Sequence, residues 1–276
     1  MVSLVTKKFA VFGNPISQSK SPLIHCLFAE SLGLDIQYEA IQGQLEKVED
    51  DFQRFFSDQD ACGANVTMPF KDNAAAWVDE LTDQAKAAGA VNTIIRQENR
   101  FLGDSTDGVG LTSDLARLGF EITHKRVLLI GAGGAARGAI ANILNTQPLS
   151  IDILNRSFDK AQILANVVSN KITKCISSPS DLGCYDLIIN ATSLSLSDKL
   201  PLIEKQQLHT DTCLYDMVYK NTDTSFIQWA KQNGCNRVSD GLGMLVGQAA
   251  ESFYLWTGQR PEVKPVLATL RAQLSA

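Results

Sequence analysis

The sequence predicts an α/β protein of two domains, and three observations support this. The chain has 276 residues, which is long for one hydrophobic core and suits two. Short apolar runs typical of strands alternate with helical stretches in two successive series. The second series opens on RVLLIGAGGAA at 126–136, where a buried strand runs through a glycine-rich turn into a helix. We therefore expect a mostly parallel sheet in an N-terminal domain and a second sheet in the domain that follows.

The first series begins with the strand KFAVFG at 8–13 and a helix at 21–33. Ser21 is the expected N-cap of that helix, Pro22 its first residue and Gly33 the residue past its end. The next predicted elements are a strand at 35–41, a helix at 45–57 and strands at 63–68 and 90–95.

The second series follows a helix at 108–119, which we expect to connect the two domains because no Pro/Ser-rich linker separates them. Its predicted strands are 126–130, 150–156, 186–193 and 214–219. Two helices close the chain from Gly241 onward.

Composition excludes several classes of function. The net charge is −5 and no Lys/Arg cluster is present, which argues against nucleic-acid binding. No apolar run approaches a membrane span, and the N-terminus lacks the features of a signal peptide, so we expect a cytoplasmic protein that binds no membrane. The six cysteines form no CxxC and are expected as reduced thiols; the three histidines lack ligand spacing, so no metal is expected.

One strand of the first series carries a polar row. Period-two alternation in GANVTMPFK at 63–71 puts four polar or turn-forming positions on one side: Asn65, Thr67, Pro69 and Lys71. The other side is apolar: Ala64, Val66, Met68 and Phe70. An amide, a hydroxyl and an ammonium group in one row indicate a small, hydroxyl-rich anionic ligand.

The glycine-rich turn matches G-x-G-x-x-A. Gly131 permits the tight turn, Gly133 lets the backbone approach a pyrophosphate, and Ala136 lets the helix pack close to the strand. Phosphates would bind the free N–H groups at the helix N-terminus. This predicts a Rossmann-type dinucleotide-binding domain; the alternative is an ordinary tight turn between a strand and a helix.

The second strand of this domain indicates which dinucleotide is bound. An NAD site has Asp or Glu at the end of this strand, whereas the strand here ends Leu154-Asn155-Arg156-Ser157. Arg156 and Lys160 could meet a 2′-phosphate, which favours NADP, unless both are only solvated surface cations.

A carbonyl reduction by a nicotinamide cofactor needs a proton donor, and Lys71 is the leading candidate, with Asp107 as its partner. Ser19 and Ser21 lie at a helix N-terminus and could bind a carboxylate, although Ser21 could equally be an ordinary cap. Asn92 follows a short apolar run, and ligands of open α/β sheets bind at the carboxyl ends of strands.

The chain resembles shikimate dehydrogenase over essentially its full length. The matching blocks are AVFGNPISQSKSP, GANVTMPFK, GAVNT, GDSTDG, GAGGAARG, NRS, INATS, YDMVY and DGLGMLVGQAA. This resemblance implies an enzyme of aromatic amino acid biosynthesis that reversibly reduces 3-dehydroshikimate to shikimate with NADPH. It implies a discontinuous substrate-binding domain, 1–106 plus 240–276, and an NADP-binding domain, 107–239, with a cleft between them.

The resemblance also implies roles for individual residues. Lys71 and Asp107 would be the catalytic pair. The substrate-binding residues would be Ser19, Ser21, Thr67, Asn92, Asp107, Tyr219 and Gln248. The cofactor-binding residues would be Gly131, Ala132, Gly133, Gly134, Ala135, Asn155, Arg156, Ser157, Lys160, Thr192, Met217 and Gly241.

Three positions depart from the commoner family pattern. Ser105 replaces an asparagine beside Asp107, Ser157 replaces a threonine, and Ser195 stands where a glycine often follows ATS. Two alternatives remain: a quinate/shikimate dehydrogenase that uses NAD, and a catalytically inactive dinucleotide-sensing module. The partner is expected to be a small molecule, and the protein a monomer or a homodimer.

Overall fold

The computed structural model describes residues 6–168 and 170–275, which form two compact α/β units. The first unit extends to Gly110 and resumes over Val246–Val266. The second comprises Leu111–Leu245 and the described residues from Leu267 onward. These divisions differ from the predicted boundaries at 106/107 and 239/240, and the end of the closing helix belongs with the second unit.

The first unit is built on one six-stranded sheet within the described residues. Its elements are β1 (Lys7–Gly13), α1 (Ser21–Leu32), β2 (Ile36–Gln42), α2 (Val48–Phe56), β3 (Ala61–Val66), α3 (Lys71–Trp77), β4 (Glu80–Leu81), α4 (Asp83–Ala88), β5 (Thr93–Gln97) and β6 (Arg100–Asp104). The strand order is β2-β1-β3-β5-β6-β4, and β5 runs antiparallel to both of its neighbours. The other described pairs are parallel, so the expected mostly parallel sheet is confirmed.

Two local predictions in this unit are wrong. Ser21 is the first residue of α1, not its N-cap, and the cap position at Lys20 makes no side-chain hydrogen bond. The strand alternation predicted for 63–71 ends at Val66 because Pro69 has no N–H for the ladder. Met68, expected on the dry side, is 74% exposed, and Lys71 begins α3. The expected end of the first helix at Gly33 is confirmed, with φ of 65°.

The second unit has a sheet in which every described pair is parallel. The elements that follow β6 are α5 (Asp107–Arg117), β7 (Arg126–Ile130), α6 (Gly134–Asn145), β8 (Ser150–Leu154), α7 (Phe158–Val168), β9 (Thr173–Ile176), β10 (Leu187–Asn190), β11 (Cys213–Asp216), α8 (Ser225–Gln232), β12 (Arg237–Asp240), α9 (Leu242–Thr257) and α10 (Val263–Ser275). Along the chain, α5, α9 and α10 each begin in one unit and end in the other.

The strand order β12-β11-β10-β7-β8-β9 is that of a Rossmann fold, which confirms the predicted class of the second unit. The order reverses between β7 and β10, where Ile130 and Asn190 are paired neighbours. A ligand of such a sheet binds at this switch point, beyond the carboxyl ends of the strands. No helix among the described residues is both long enough and apolar enough to cross a membrane.

Candidate active site

The reversed strand β5 brings three segments of the first unit to one edge of its sheet. Lys71 follows the carboxyl end of β3, Asp107 follows that of β6, and Asn92 immediately precedes β5. Asn92 was predicted near the carboxyl ends of strands, and it lies there although it stands at the start of β5. It reaches the same edge because β5 is antiparallel, with Thr93 opposite both Asn65 and Asp104.

Lys71 and Asp107 form an ion pair. Lys71 Nζ lies 2.5 Å from Asp107 Oδ2, and the two side chains are 25% and 14% exposed. Each residue is the first of its helix, α3 and α5. The Asp107 carboxylate also accepts a hydrogen bond on Oδ1 from Asn92 Nδ2 at 2.8 Å. One carboxylate therefore holds the ammonium group and the carboxamide side by side.

Gln248 of α9 completes this group, with its Oε1 3.5 Å from Asn92 Nδ2. The first unit thus brings together four of the predicted site residues: Lys71, Asn92, Asp107 and Gln248. Their polar atoms are those that hydroxyl and carbonyl oxygens of a ligand would need. Ser105, beside them, is buried, and its N–H donates to Asp104 Oδ1 at 2.7 Å.

The predicted serines lie together at the start of α1. The N–H of Ser21 donates to Ser19 Oγ at 3.3 Å; Ser21 is buried and Ser19 half-buried. Thr67 is half-buried in the turn after β3, and its N–H donates to Phe12 O at 2.8 Å. A Cβ at Gly13 would lie 2.6 Å from Thr67 Cγ2, so the backbone at Gly13 must be bare for the threonine to sit there.

Asn65 does not face a ligand, although the polar row predicted that it would. It is 5% exposed, accepts from Tyr38 OH at 2.7 Å and donates to Ser252 Oγ at 3.0 Å. The His25 ring stacks on Tyr38 with centroids 4.3 Å apart. Burial lowers the pKa of His25 to about 3, so the imidazole is neutral near pH 7.

In the second unit, the glycine-rich turn has the geometry that its sequence predicts. Gly131 has φ of +111°, and a Cβ there would lie 3.2 Å from the Ala191 backbone. Gly133 and Gly134 are exposed, and an added Cβ at either would meet no described atom within 4 Å. Ala136 is fully buried against the sheet. The N-terminus of α6 is therefore open between Ala132 and Ala135, as binding of a phosphate requires.

A cavity of about 440 Å³ adjoins the carboxyl ends of β7 and β8. Asn155, Arg156 and Thr192 line it together with the apolar segment 200–202. Asn155 Nδ2 donates to Ser157 O at 2.8 Å, which fixes the turn that presents the exposed Arg156. Lys160 is exposed on α7.

The loop after β10 is fixed by buried hydrogen bonds. Asn190 Oδ1 accepts from both the N–H and the hydroxyl of Thr192, at 3.1 and 2.7 Å. Ser195 Oγ donates to Asp216 Oδ2 at 2.6 Å, and both residues are fully buried. Burial raises the pKa of Asp216, although hydrogen bonds from Ser195 and Thr224 partly oppose this.

The remaining predicted residues also lie in the second unit. A Cβ at Gly241 would collide with the Met217 carbonyl oxygen, so only glycine permits this approach between the two segments. Tyr219 is half-buried, and burial raises its pKa. No group of three or more His, Cys, Asp or Glu side chains in the described ranges could hold a metal ion.

Three family models match successive parts of the chain. They are the shikimate dehydrogenase substrate binding domain over residues 11–94, shikimate / quinate 5-dehydrogenase over 114–213, and the shikimate 5'-dehydrogenase C-terminal domain over 241–271. A relative from Hahella chejuensis, named shikimate dehydrogenase (NADP(+)), is 44% identical and covers 95% of this chain and 98% of its own. The chain belongs to the shikimate dehydrogenase family.

Solved structures agree with the shikimate dehydrogenase fold. Shikimate 5-dehydrogenase from Thermus thermophilus, in complex with NADP(H) and shikimate, is 30% identical with a TM-score of 0.87, over 97% of this chain and 99% of that one. An Ael1 enzyme from Pseudomonas putida is 35% identical with a TM-score of 0.90, over 96% and 98%.

Several residues that support the site are not identified by the sequence motifs. Asp216 lies within the YDMVY block and Asn190 within INATS, but their burial was not readable from the motifs. Ser252 is a fully buried hydroxyl residue one turn after Gln248 in α9, and its partner Asn65 is 187 residues away. The one signal for Ser252 was a polar residue one helical turn after Gln248 in a mostly apolar helix.

Proposed function

We propose that this protein is an NADP-dependent oxidoreductase that reversibly reduces 3-dehydroshikimate to shikimate in aromatic amino acid biosynthesis. The observation that carries the proposal is the Lys71–Asp107 ion pair, held together with Asn92 at one edge of the first sheet. Family membership and the NADP named for the 44% identical relative support the choice of reaction and cofactor.

Bound NADPH would supply the hydride to the substrate carbonyl carbon. The carbonyl oxygen then needs a proton, and Lys71 Nζ is the donor in our assignment. Asp107 would hold the ammonium group in place. In the reverse direction, Lys71 would accept the proton from the shikimate hydroxyl.

We assign the first unit to the substrate. Ser19 and Ser21, with the N-terminus of α1, would bind the carboxylate. The other ligand oxygens would contact Thr67, Asn92, Asp107, Tyr219 and Gln248. Of these residues, Tyr219 belongs to the second unit along the chain.

We assign the second unit to NADP, and the residues present fit that group. The exposed glycines at the start of α6 leave room for a pyrophosphate, and the cavity beside Arg156 can take the adenosine end. The turn 131–135 would hold the phosphates, Asn155 to Ser157 and Lys160 the 2′-phosphate, and Thr192, Met217 and Gly241 the nicotinamide side.

The direct test is to mix the purified protein with shikimate and either NADP or NAD and follow the absorbance of reduced nicotinamide. We expect rapid reduction of NADP and little reduction of NAD. Equal use of both cofactors, or activity only with quinate, would favour the quinate/shikimate dehydrogenase. Absence of reduction with every pair would favour the dinucleotide-sensing module.

Arg156→Ala tests the cofactor assignment. Loss of a charge-assisted bond to the 2′-phosphate should raise KM for NADP by about tenfold or more and change KM for NAD little. Lys174→Ala, an exposed lysine of β9, is the matched control and should alter neither. An unchanged preference in the Arg156 variant would refute the assignment.

The expected location is the cytoplasm, where the six free cysteines would stay reduced. A monomer or a homodimer remains our prediction for the assembly.

A further inference from the structure

Five polar side chains of the first unit lie deep behind the Lys71–Asp107 pair. They are Tyr38, Asn65, Thr93, Thr106 and Ser252, and none is more than 7% exposed. Buried polar groups are costly unless every one finds a partner, and satisfied networks fix a single arrangement. The reaction proposed above assigns these five no role, so their arrangement requires its own explanation.

The orientation of the Asn92 carboxamide is decided by a backbone group. The N–H of Thr106 can only donate, and it lies 2.9 Å from the Asn92 atom that must therefore be Oδ1. The other amide atom is then Nδ2, which donates to Asp107 Oδ1 at 2.8 Å. A reversed carboxamide would set an oxygen against the carboxylate and lose both hydrogen bonds.

The orientation of Asn65 is decided in the same way. The Asn92 backbone carbonyl can only accept, and it lies 3.1 Å from the atom that must be Asn65 Nδ2. Asn65 Oδ1 is then the acceptor for Tyr38 OH at 2.7 Å. Tyr38 therefore holds Asn65 Nδ2 toward the interior of the network.

Ser252 connects these two amides. Asn65 Nδ2 donates to Ser252 Oγ at 3.0 Å, and Thr93 Oγ1 gives its single proton to Asn92 Oδ1 at 2.8 Å. The Ser252 hydroxyl has one proton and two acceptors within reach, Thr93 Oγ1 at 2.8 Å and the Gln248 carbonyl oxygen at 3.0 Å. Hydrogen-bond contacts therefore link Asn65 through Ser252 and Thr93 to the Asn92 amide oxygen.

We propose that Ser252 and Tyr38 are positioning residues, which act through this hydrogen-bonded chain to keep Asn92 oriented against Asp107 and so hold the Lys71–Asp107 pair ready for proton transfer. The inference rests on the proposed function. It gives α9 a part in the chemistry of a distant segment of the chain, since Gln248 of this helix lies 156 residues after Asn92.

The test compares Ser252→Ala and Tyr38→Phe with the parent enzyme in steady-state kinetics. Loss of one link should lower kcat by about five- to tenfold, with KM for NADP changed by less than about twofold, because neither residue belongs to the proposed cofactor site. Tyr38→Phe removes a single oxygen and keeps the ring on His25, so it remains informative if the Ser252 variant folds poorly.

Thr257→Val is the matched control on the same helix. Its hydroxyl donates to Phe253 O at 2.8 Å and accepts from the N–H of Gln259, but neither bond leads to Asn92. We expect a comparable fall in melting temperature with unchanged kcat. If the Ser252 and Tyr38 variants also lose only stability and keep the parent kcat, the proposal is overturned.

A crystal structure of Ser252→Ala gives a readout that does not need turnover. The proposal expects the Asn92 Nδ2 to Asp107 Oδ1 contact to lengthen or break, and an unchanged contact would contradict it. If the parent protein fails to oxidise shikimate, the proposed function fails, and this geometric comparison still decides whether Ser252 orients Asn92.

Discussion

At the scale of single residues, the position of Lys71 is the most unusual feature of the site. The N-terminus of a helix carries positive potential, so a lysine as the first residue of α3 is disfavoured there by its own helix. Asp107 offsets this, and its own place at the start of α5 favours a carboxylate. The contact with the Asp107 carboxylate therefore favours the ammonium group at this position.

Lys71→Met should lower kcat by roughly 10²- to 10⁴-fold while the affinity for NADP changes little, because the role proposed for this lysine is proton transfer and not cofactor binding. Initial-rate assays measure kcat, and fluorescence titration measures the affinity for NADP. Lys86→Met is the control, since Lys86 is an exposed lysine of α4 in the same unit that pairs with Asp83. Equal losses of turnover and cofactor affinity would indicate a structural role for Lys71.

His25 is a second residue with a strongly altered environment. It is fully buried on α1, between the rings of Tyr38, Phe253 and Trp256. Its pKa is lowered by burial to about 3, against an ordinary value of 6.5. Between these two values the unfolded chain binds the His25 proton and the folded chain does not, so stability from this group is present above pH 6.5 and is lost as the pH falls toward 3.

Replacement of His25 by Phe should flatten the acid side of the stability profile. The parent protein should lose up to about 1.4 kcal/mol of unfolding free energy per pH unit more than the variant between pH 6 and 4. Urea unfolding followed by tryptophan fluorescence measures this, because Trp256 lies beside His25. His124→Gln, an exposed histidine, should keep the parent slope, and a parent slope in His25→Phe would contradict the assignment.

At the scale of elements, Asp216 at the end of β11 holds both the loop after β10 and the segment that precedes α8. Its carboxylate accepts from Asn190, Ser195 and Thr224 at 3.1, 2.6 and 2.6 Å. Ser195, which departs from the commoner family residue, thus adds a hydrogen bond that glycine cannot make. The serine at this position therefore holds the loop beside the proposed cofactor site in place.

Ser195→Ala should destabilise the protein by about 1–3 kcal/mol, because a buried carboxylate loses a donor. The folded-state pKa of Asp216 is already raised, and loss of the donor raises it further. Stability from a raised carboxyl pKa is present at low pH and is lost as the pH rises, so the variant should be closer to the parent at pH 4 than at pH 7.5. Thermal melts at both pH values measure this difference in stability. Ser193→Ala, at an exposed position, is the control. A loss of stability that does not depend on pH would count against the hydrogen bond to Asp216.

The sequence predicted elements whose signal is local and missed those that depend on distant pairing. The turn at Gly131 was predictable because a positive φ and a close helix both demand small residues. The direction of β5 was not, since a short apolar run reads the same in either direction. The edge strands β4, β9 and β12, of two to four residues, carry too few side chains for a period to appear. The motifs identified the residues of the candidate site. They did not show that Asn65 is buried and contacts other protein groups, which only the structure reveals.

At the scale of the whole molecule, the first unit is completed by a segment from the far end of the chain. Trp256 of α9 stacks on Phe9 with centroids 4.8 Å apart and donates to Ile94 O at 3.0 Å. The indole ring lies against Gly63 of β3, where a Cβ would collide with it. A Cβ at Gly247 would lie 3.1 Å from Gly110 O, so the end of the unit's first segment is adjacent to the start of its second segment.

We expect residues 1–110 alone to be unfolded, and the same residues joined by a short glycine linker to 246–266 to fold. The segment supplies Phe253 and Trp256, and removal of either aromatic side chain from a core costs about 3–5 kcal/mol. Circular dichroism and cooperative thermal melting distinguish the two chains. The linked chain carrying Trp256→Ala is the control; cooperative folding of 1–110 by itself would show that α9 is dispensable.

The hairpin of β5 and β6 has a consequence for how this chain can change over evolution. Asn92 and Asp107 stand at its open end, whereas its two-residue turn, Glu98 and Asn99, lies at the opposite edge of the sheet. The ladder between the strands sets the spacing of the two site residues, so the turn is insulated from the chemistry. Insertions and deletions in this turn should be neutral. Related chains can therefore acquire new surface features at this tip while the spacing of Asn92 and Asp107 stays the same.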